Sequence, residues 1–401
     1  MWPGRGRWLL AGEDGRVPTD TAAPPRPRPP DLTIPASLRP ADGRFGSGPS
    51  KVPVGAVQAL LDSGPTYLGT SHRQAPVRSL VARAREALTI LYELPAGYEV
   101  VLGNGGSTVF WDVAAFGLVR DRAQHAAFGE FSAKFAAVTA RAPWLGPPTV
   151  RRAEPGSAVT PVAESGVDVY AWPHNETSTG VTAPVTRVAG ADDGALMVVD
   201  GTSAAGALPL DVTQTDAYYF APQKGFAADG GVWLALLSPL AVARAEELAA
   251  GGRYVPDTLD LVTAITQSRL DQTLNTPAVA TLFLLVHQAE DLLARGGLPW
   301  AASRTAASSG VLYGWAERTP GTTPFVADPA HRSPVVATID FDGTVSAPSV
   351  AAVLRANGIV DVEPYRKLGR NQLRFGMYPA VDPGDVEALT ACIDWVLERL
   401  D

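Results

Sequence analysis

YFAPQKGFAADGG, residues 219–231, sets a lysine just past a short apolar run in a chain that almost never uses lysine. Lysine stands at four positions only, Lys51, Lys134, Lys224 and Lys367, and arginine supplies the remaining 29 of the 33 basic residues. A position that stays lysine against that bias points to a need for an amine, because a guanidinium keeps its proton and cannot act as a nucleophile. Taken alone, Lys224 is equally readable as a solvated surface lysine, the commoner fate of the residue type. What stands around the motif separates the two readings.

The apolar run before Lys224, 217–220, is one of five short β-rich stretches, with 98–102, 167–172, 195–199 and 232–237. Their near-continuous apolar character is that of strands buried on both faces. Helical periodicity lies between several of them and is strongest over 77–94, where Leu80, Ala84, Ala87, Leu88 and Leu91 share a face. Strands alternating with helices predict an α/β layered domain. A helical stretch over 277–295 leads to GGLPW at 296–300, a natural joint, and beyond it a strand at 335–341 and a helix at 349–357 predict a smaller α+β domain. The last helix opens on Asp382-Pro383, an N-cap and first-turn pair, and turns Val386, Leu389, Ile393, Val396, Leu397 and Leu400 inward. The expected division is a disordered proline-rich extension over 1–34, a large domain over 35–295 and a small C-terminal domain over 296–401.

Composition narrows the function. With 401 residues, 46% of them hydrophobic and 18% charged, the chain has ample material for a large core. A net charge of −8 gives no basic footprint for nucleic acid or anionic lipid, although local fields still admit small anionic substrates. The single cysteine, Cys392, excludes an internal disulfide and any multi-cysteine metal site, and no metal is expected; the pattern fits a cytoplasmic protein. No apolar run approaches the roughly 18 residues of a spanning helix. Trp8-Leu9-Leu10 is too short for a secretory signal, whose apolar core needs about 7 residues or more. TDTAAPPRPRPP at 19–30 lacks periodicity and reads as disordered or polyproline-like.

Three loops at strand ends carry chemistry, and strand ends are where open α/β sheets bind ligands. GNGGST at 103–108 runs from a strand into a helical pattern, offering free backbone N–H groups and two hydroxyls to a phosphate. It is no P-loop, since no lysine follows, and alone it reads equally as a tight turn. Asp200 ends the strand at 195–199, where it serves either as a cap or as a functional acid. Lys224 follows the next strand. A phosphate cradle, a carboxylate and a lysine together match what pyridoxal 5'-phosphate requires: an amine to hold the aldehyde as a Schiff base, an anion to keep the pyridine nitrogen protonated, and an anchor for the phosphate.

The chain also resembles the phosphoserine aminotransferases of the class V aminotransferases, in their actinobacterial form. DGRFGSGPSKV (42–52), GTSHRQAPV (69–77), GNGGSTVFWD (103–112), GEFSAKF (129–135), HNETSTG (174–180), DAYYFAPQKGFAADGG (216–231), LNTPA (274–278) and EPYRKLGRNQLR (363–374) carry the resemblance, in order, over about 31–401. It implies the type I PLP-dependent transferase fold: a three-layer large domain with a mainly parallel sheet, plus the small C-terminal α+β domain. It further implies Lys224 as the Schiff-base lysine, Asp200 as partner of the pyridine nitrogen, Phe131 stacked on the ring and Thr177 near the ring oxygen. Ser107, Thr108 and Gln223 match the phosphate site, with Asn275 and Thr276 reaching it from the neighbouring subunit of a homodimer with shared sites. Arg374 matches the residue that grips the substrate α-carboxylate, and His72 and Arg73 match the pair that receives the distal phosphate or carboxylate across the dimer. Many members carry a histidine about seven residues before that arginine; here Arg366 and Lys367 are the candidates for its charge. Gly201, where a bulkier small residue is common, is expected to matter little.

The activity implied is reversible transfer of an amino group between O-phospho-L-serine and 2-oxoglutarate in serine biosynthesis, with the phosphorylated hydroxythreonine of vitamin B6 synthesis left open as a second substrate. The alternative on the same fold is another class V aminotransferase, acting on alanine and glyoxylate or on serine and pyruvate. A cysteine desulfurase needs a mobile nucleophilic cysteine, whereas Cys392 falls on the apolar side of the last helix. A protein that only binds cofactor is disfavoured by intact Lys224 and Asp200.

Overall fold

The computed structural model describes residues 32–400, so the extension expected over 1–34 lies, apart from its last three residues, outside the described residues. Strands β1 (Glu99–Asn104), β2 (Ala123–Ala127), β3 (Thr149–Arg152), β4 (Val169–Pro173), a two-residue-strand hairpin of β5 (Asn175–Glu176) and β6 (Val181–Thr182), then β7 (Leu196–Asp200), β8 (Ala217–Phe220) and β9 (Val232–Leu237) follow in chain order. All but the hairpin join one sheet in the order β1-β9-β8-β7-β4-β2-β3. Only β9 runs against its neighbours, so β1, β8, β7 and β4 end on one edge of the sheet.

Alternation along the central strands builds the layers. Met197, Val199, Tyr218 and Phe220 point into a core shared with α2 (Ala75–Leu91) and α7 (Val279–Ala294). Leu196, Val198, Ala217 and Tyr219 point the other way, into a core shared with α3 (Ser107–Gly117), α4 (Glu130–Arg141), α5 (Pro239–Ala250) and α6 (Leu261–Arg269). The result is the expected α/β fold with a mainly parallel sheet between two helical layers. The five strands read from the sequence lie within two residues of their expected bounds. The helix expected over 77–94 spans Ala75–Leu91, because Glu93 takes a positive φ of 48° and ends it.

β2 and β3 were not legible. AQHAA and TVRR lack the β-branched runs of their neighbours, and β2 buries Gln124 and His125, which find partners in Glu164 and Thr139. The joint expected at 296–300 is instead the opening of α8 (Gly297–Arg318). This helix was hidden by its Ser, Thr and Gly content. Thr305 and Ser309 return their hydroxyls to the carbonyls of Ala302 and Ala306, which suits such residues to a buried helix.

Leu298 and Ala301 of α8 pack on the sheet core, while Leu312, Trp315 and Ala316 enter a second core. That second core holds the antiparallel strands β10 (Thr322–Pro324), β11 (Val336–Phe341) and β12 (Gln372–Gly376) with α9 (Ala347–Ala356) and α10 (Pro383–Leu397). Asp382 caps α10 through the Gly384 N–H as expected. Ile34 and Phe45 also belong to this core, and Phe45 exchanges backbone bonds with Val360 and Gly376. By packing, therefore, the segment entering the fold joins the C-terminal body before the chain reaches α1 (Val54–Tyr67) and the sheet.

Candidate active site

The parallel strand ends converge on a cavity of about 330 Å³ between the two bodies. β1 delivers the glycine turn, where Gly105 at φ +102° lets the chain reverse into α3 and its unpaired first N–H groups. Ser107 and Thr108 line the cavity there, and Ser107 Oγ lies 2.6 Å from Thr202 Oγ1. β7 delivers Asp200, whose Oδ1 accepts from the Thr202 N–H at 2.8 Å. Burial raises the pKa of this carboxyl, outweighing the bonds from Thr202 and the charge of Lys224.

β8 delivers Gln223 and Lys224. The lysine is buried, its Nζ donates to Thr177 Oγ1 at 2.6 Å, and it sits 5.2 Å from the Phe131 ring centre. Burial brings its pKa down to about 8, against the opposing charges of Asp200 and Glu176 and with a lesser push from Arg374. Lys51 pairs with Asp42 and Asp385, and Lys134 and Lys367 both pair with Glu130. Among the described lysines, only Lys224 faces a hydroxyl instead of a carboxylate partner.

From the C-terminal body, β12 brings Arg374 and the preceding loop brings Tyr365. Arg374 Nη1 donates to the Thr177 carbonyl at 3.1 Å, its Nε is buried without a partner, and its guanidinium lies 5.4 Å from the Tyr365 ring centre. Such a fork, short of one partner, is suited to a carboxylate. Arg366 and Lys367 do not line the cavity: both are exposed, and Lys367 turns to Glu130. Tyr365, which does line the cavity, was not singled out from the sequence, since an aromatic beside two cations carries no distinctive spacing.

Glu176 was also missed. It is 1% exposed, and its carboxylate accepts from the backbone N–H groups of Phe131, Ser132 and Ser178 and from the hydroxyls of Ser132 and Ser178. It thereby anchors the first turn of α4, on which Phe131 rides. Gly201 proves more constrained than expected, because a Cβ there would stand 2.3 Å from Cζ of the buried Tyr218 ring.

His72, Arg73, Asn275 and Thr276 are not among the residues lining this cavity. They group elsewhere: His72 Nδ1 lies 3.2 Å from Thr276 Oγ1, Arg73 donates to Gln272, and Asn104 donates to the carbonyls of Asn275 and Thr276. Burial and the neighbouring Arg73 lower the pKa of His72. Cys392 is buried, donates its thiol to the Leu38 carbonyl, and is pushed up to about 11, which leaves it inert as a nucleophile.

The cavity residues fit pyridoxal phosphate. Gln223 Oε1 and Arg374 Nε are buried without partners, the α3 N-terminus offers free N–H groups, and Gly48 leaves space that a Cβ would take at 2.8 Å from Lys224 Cε. Among the described residues no three His, Cys, Asp or Glu side chains gather as a metal site, and no helix is long and apolar enough to cross a membrane.

Residues 156–389 match the Aminotransferase class-V family. A phosphoserine aminotransferase of a Nocardioides species is 60% identical over 370 residues, 92% of this chain and 99% of its own. Among solved structures, a phosphoserine aminotransferase from Cytophaga hutchinsonii superposes with a TM-score of 0.82 at 21% identity, covering 90% of this chain and all of that one. Another from Bacillus circulans subsp. alkalophilus gives 0.75 at 19% identity, over 88% and 98% of the two chains.

Proposed function

Because the chain belongs to the class V aminotransferases, and within them to the phosphoserine aminotransferases, we propose that the Lys224 cavity transfers an amino group between O-phospho-L-serine and 2-oxoglutarate. The products are 3-phosphohydroxypyruvate and L-glutamate, and the step serves serine biosynthesis. The observation that carries this reading is the buried Lys224 amine, depressed to about 8 and facing Thr177 and Asp200 at the convergence of the parallel strands.

Pyridoxal phosphate, when bound, supplies the electron sink that lets an amino acid lose its Cα proton. Lys224 would hold the cofactor by its aldehyde, and its amine is the group placed to take the substrate Cα proton as a general base and return it as an acid. An amine with a pKa near the working pH does both without a large energetic gap. Asp200 would hold the pyridine nitrogen, Phe131 would cover the ring, and Thr177 would stand by the ring oxygen. Ser107, Thr108 and Gln223 would hold the phosphate with the N-terminus of α3. Arg374 takes the α-carboxylate, so that the Cα proton is presented to Lys224.

We further propose a homodimer in which His72 and Arg73 receive the distal phosphate, and Asn275 and Thr276 the cofactor phosphate, in the partner's cavity. Two observations support it: these four residues group outside the cavity of their own chain, and α1 leaves Val54, Val57 and Leu61 exposed with Leu68 just beyond it. A cytoplasmic location is supported by the single, buried cysteine.

The test is release of glutamate from the holoenzyme and 2-oxoglutarate, with phosphoserine, serine and alanine compared as donors. Phosphoserine is expected to exceed the others in kcat/KM by at least about 100-fold, the worth of charge-assisted bonds to a phosphate. Equal rates with alanine or serine would move the assignment to the alanine–glyoxylate or serine–pyruvate type. The phosphorylated hydroxythreonine of vitamin B6 synthesis, which shares the same charged ends, is the second substrate to assay.

A further inference from the structure

Asp200 lines two spaces. Beside the cofactor cavity is a second, small space of about 10 Å³, lined by Asp200, Tyr219, His125 and Ser132 with Phe131 and Phe135. That is the lower limit of room for one water, and a water there needs at least two polar partners. Asp200 and Tyr219 are direct register partners on β7 and β8, so their side chains leave the sheet on the same face.

Ser132 Oγ is committed to Glu176, Gly129 and Phe128. Thr139 Oγ1 lies 3.1 Å from the Ala136 carbonyl, to which it can give its one proton, and 2.8 Å from His125 Nε2. With that proton given to the carbonyl, His125, fully buried and kept neutral by that burial, carries its own proton on Nε2 and offers Nδ1 as an acceptor. Tyr219 accepts from the Trp111 Nε1–H at 2.9 Å, which leaves its own proton to donate. Asp200 Oδ1 accepts from Thr202. The space thus meets one donor, Tyr219, and two acceptors, Asp200 and His125.

We propose that Tyr219 donates to the Asp200 carboxylate, and that one buried water donates to both Asp200 and His125 Nδ1. This closed relay makes Tyr219 and His125 positioning residues that hold the carboxylate toward the cofactor cavity. Burial pushes the Asp200 carboxyl toward its neutral form. Donors from behind favour the anion that a pyridine nitrogen requires, and they prevent the carboxylate from rotating away. The inference rests on the reading of Asp200 as the pyridine partner.

Two experiments test it. In a crystal structure of the wild-type holoenzyme that resolves ordered solvent, a water is expected within hydrogen-bonding distance of both Asp200 and His125 Nδ1; an empty space, or a water touching neither, overturns the bridge. In Tyr219→Phe, pyridoxal phosphate titrated into the cofactor-free protein is expected to bind about ten-fold more weakly. The absorbance maximum of the bound cofactor should also move, while the KM for phosphoserine stays as in wild type. A variant that lowers Tm but leaves cofactor affinity and spectrum unchanged assigns Tyr219 a structural role only and overturns the relay. Asp200→Asn is the control: if it binds cofactor as wild type does, the reading of Asp200 itself fails, separately from the relay.

Discussion

Lys224 carries a cost that its environment makes measurable. Its pKa is lowered from an ordinary 10.5 to about 8 by burial, so between those values the unfolded chain binds the proton more tightly than the folded one. Unfolding then takes up protons, and stability rises with pH across the interval. Below pH 8 the folded protein bears the full penalty, on the order of 3 kcal/mol for a shift of this size. Lys224→Met in the cofactor-free protein is therefore expected to raise Tm at pH 7, with the gap over wild type closing as the pH climbs from about 8 toward 10.5. Calorimetry across that range decides it: a gap that does not depend on pH means the amine is not desolvated in solution. The sequence pointed to Lys224 through the rarity of lysine. It could not supply the depressed pKa, which arises from burial by the fold, with a lesser push from Arg374, far along the chain.

At the scale of elements, the first turn of α4 is the least ordinary piece of the site. Helix N-termini favour carboxylates; α4 opens on its own Glu130, but the carboxylate that accepts its N–H groups comes from Glu176, more than forty residues on. Gly129 must stay glycine beneath it, since a Cβ would stand 2.3 Å from Glu176 Cγ. Glu176→Gln replaces one acceptor oxygen with a donor facing donors. It is expected to destabilise by about 2–3 kcal/mol in urea unfolding and to loosen cofactor binding through Phe131. Unchanged stability would mean that the carboxylate is not the anchor. The buried strands were legible because their apolar runs are independent of what they pair with. β2, with its glutamine and histidine, was not, because its polar groups are satisfied only by residues that the fold brings near. α8 escaped for a related reason, as its small polar residues pack between two cores and so carry no single apolar stripe.

For the molecule as a whole, the cavity exists only where the sheet edge meets the C-terminal body, which lends Arg374 and Tyr365. The exposed Val57 and Leu61 of α1 are 50% and 71% accessible in the single chain. Under the dimer reading, Leu61→Asp is expected to convert a dimer to monomers in sedimentation, and to cut activity with phosphoserine by removing the partner's His72 and Arg73. A variant that sediments and turns over as wild type does would place the interface elsewhere. The sequence by itself determined the layered α/β class, the pyridoxal phosphate cofactor and the place of Cys392 on the apolar side of the last helix, because local patterning and residue chemistry suffice for these. Only the tertiary structure decided that Tyr365 rather than Arg366 or Lys367 lines the cavity, that Glu176 anchors α4, and that Asp200 backs onto Tyr219 and His125. Each of these depends on side chains far apart in sequence meeting in a buried space, where direction and burial, not residue type, fix the role.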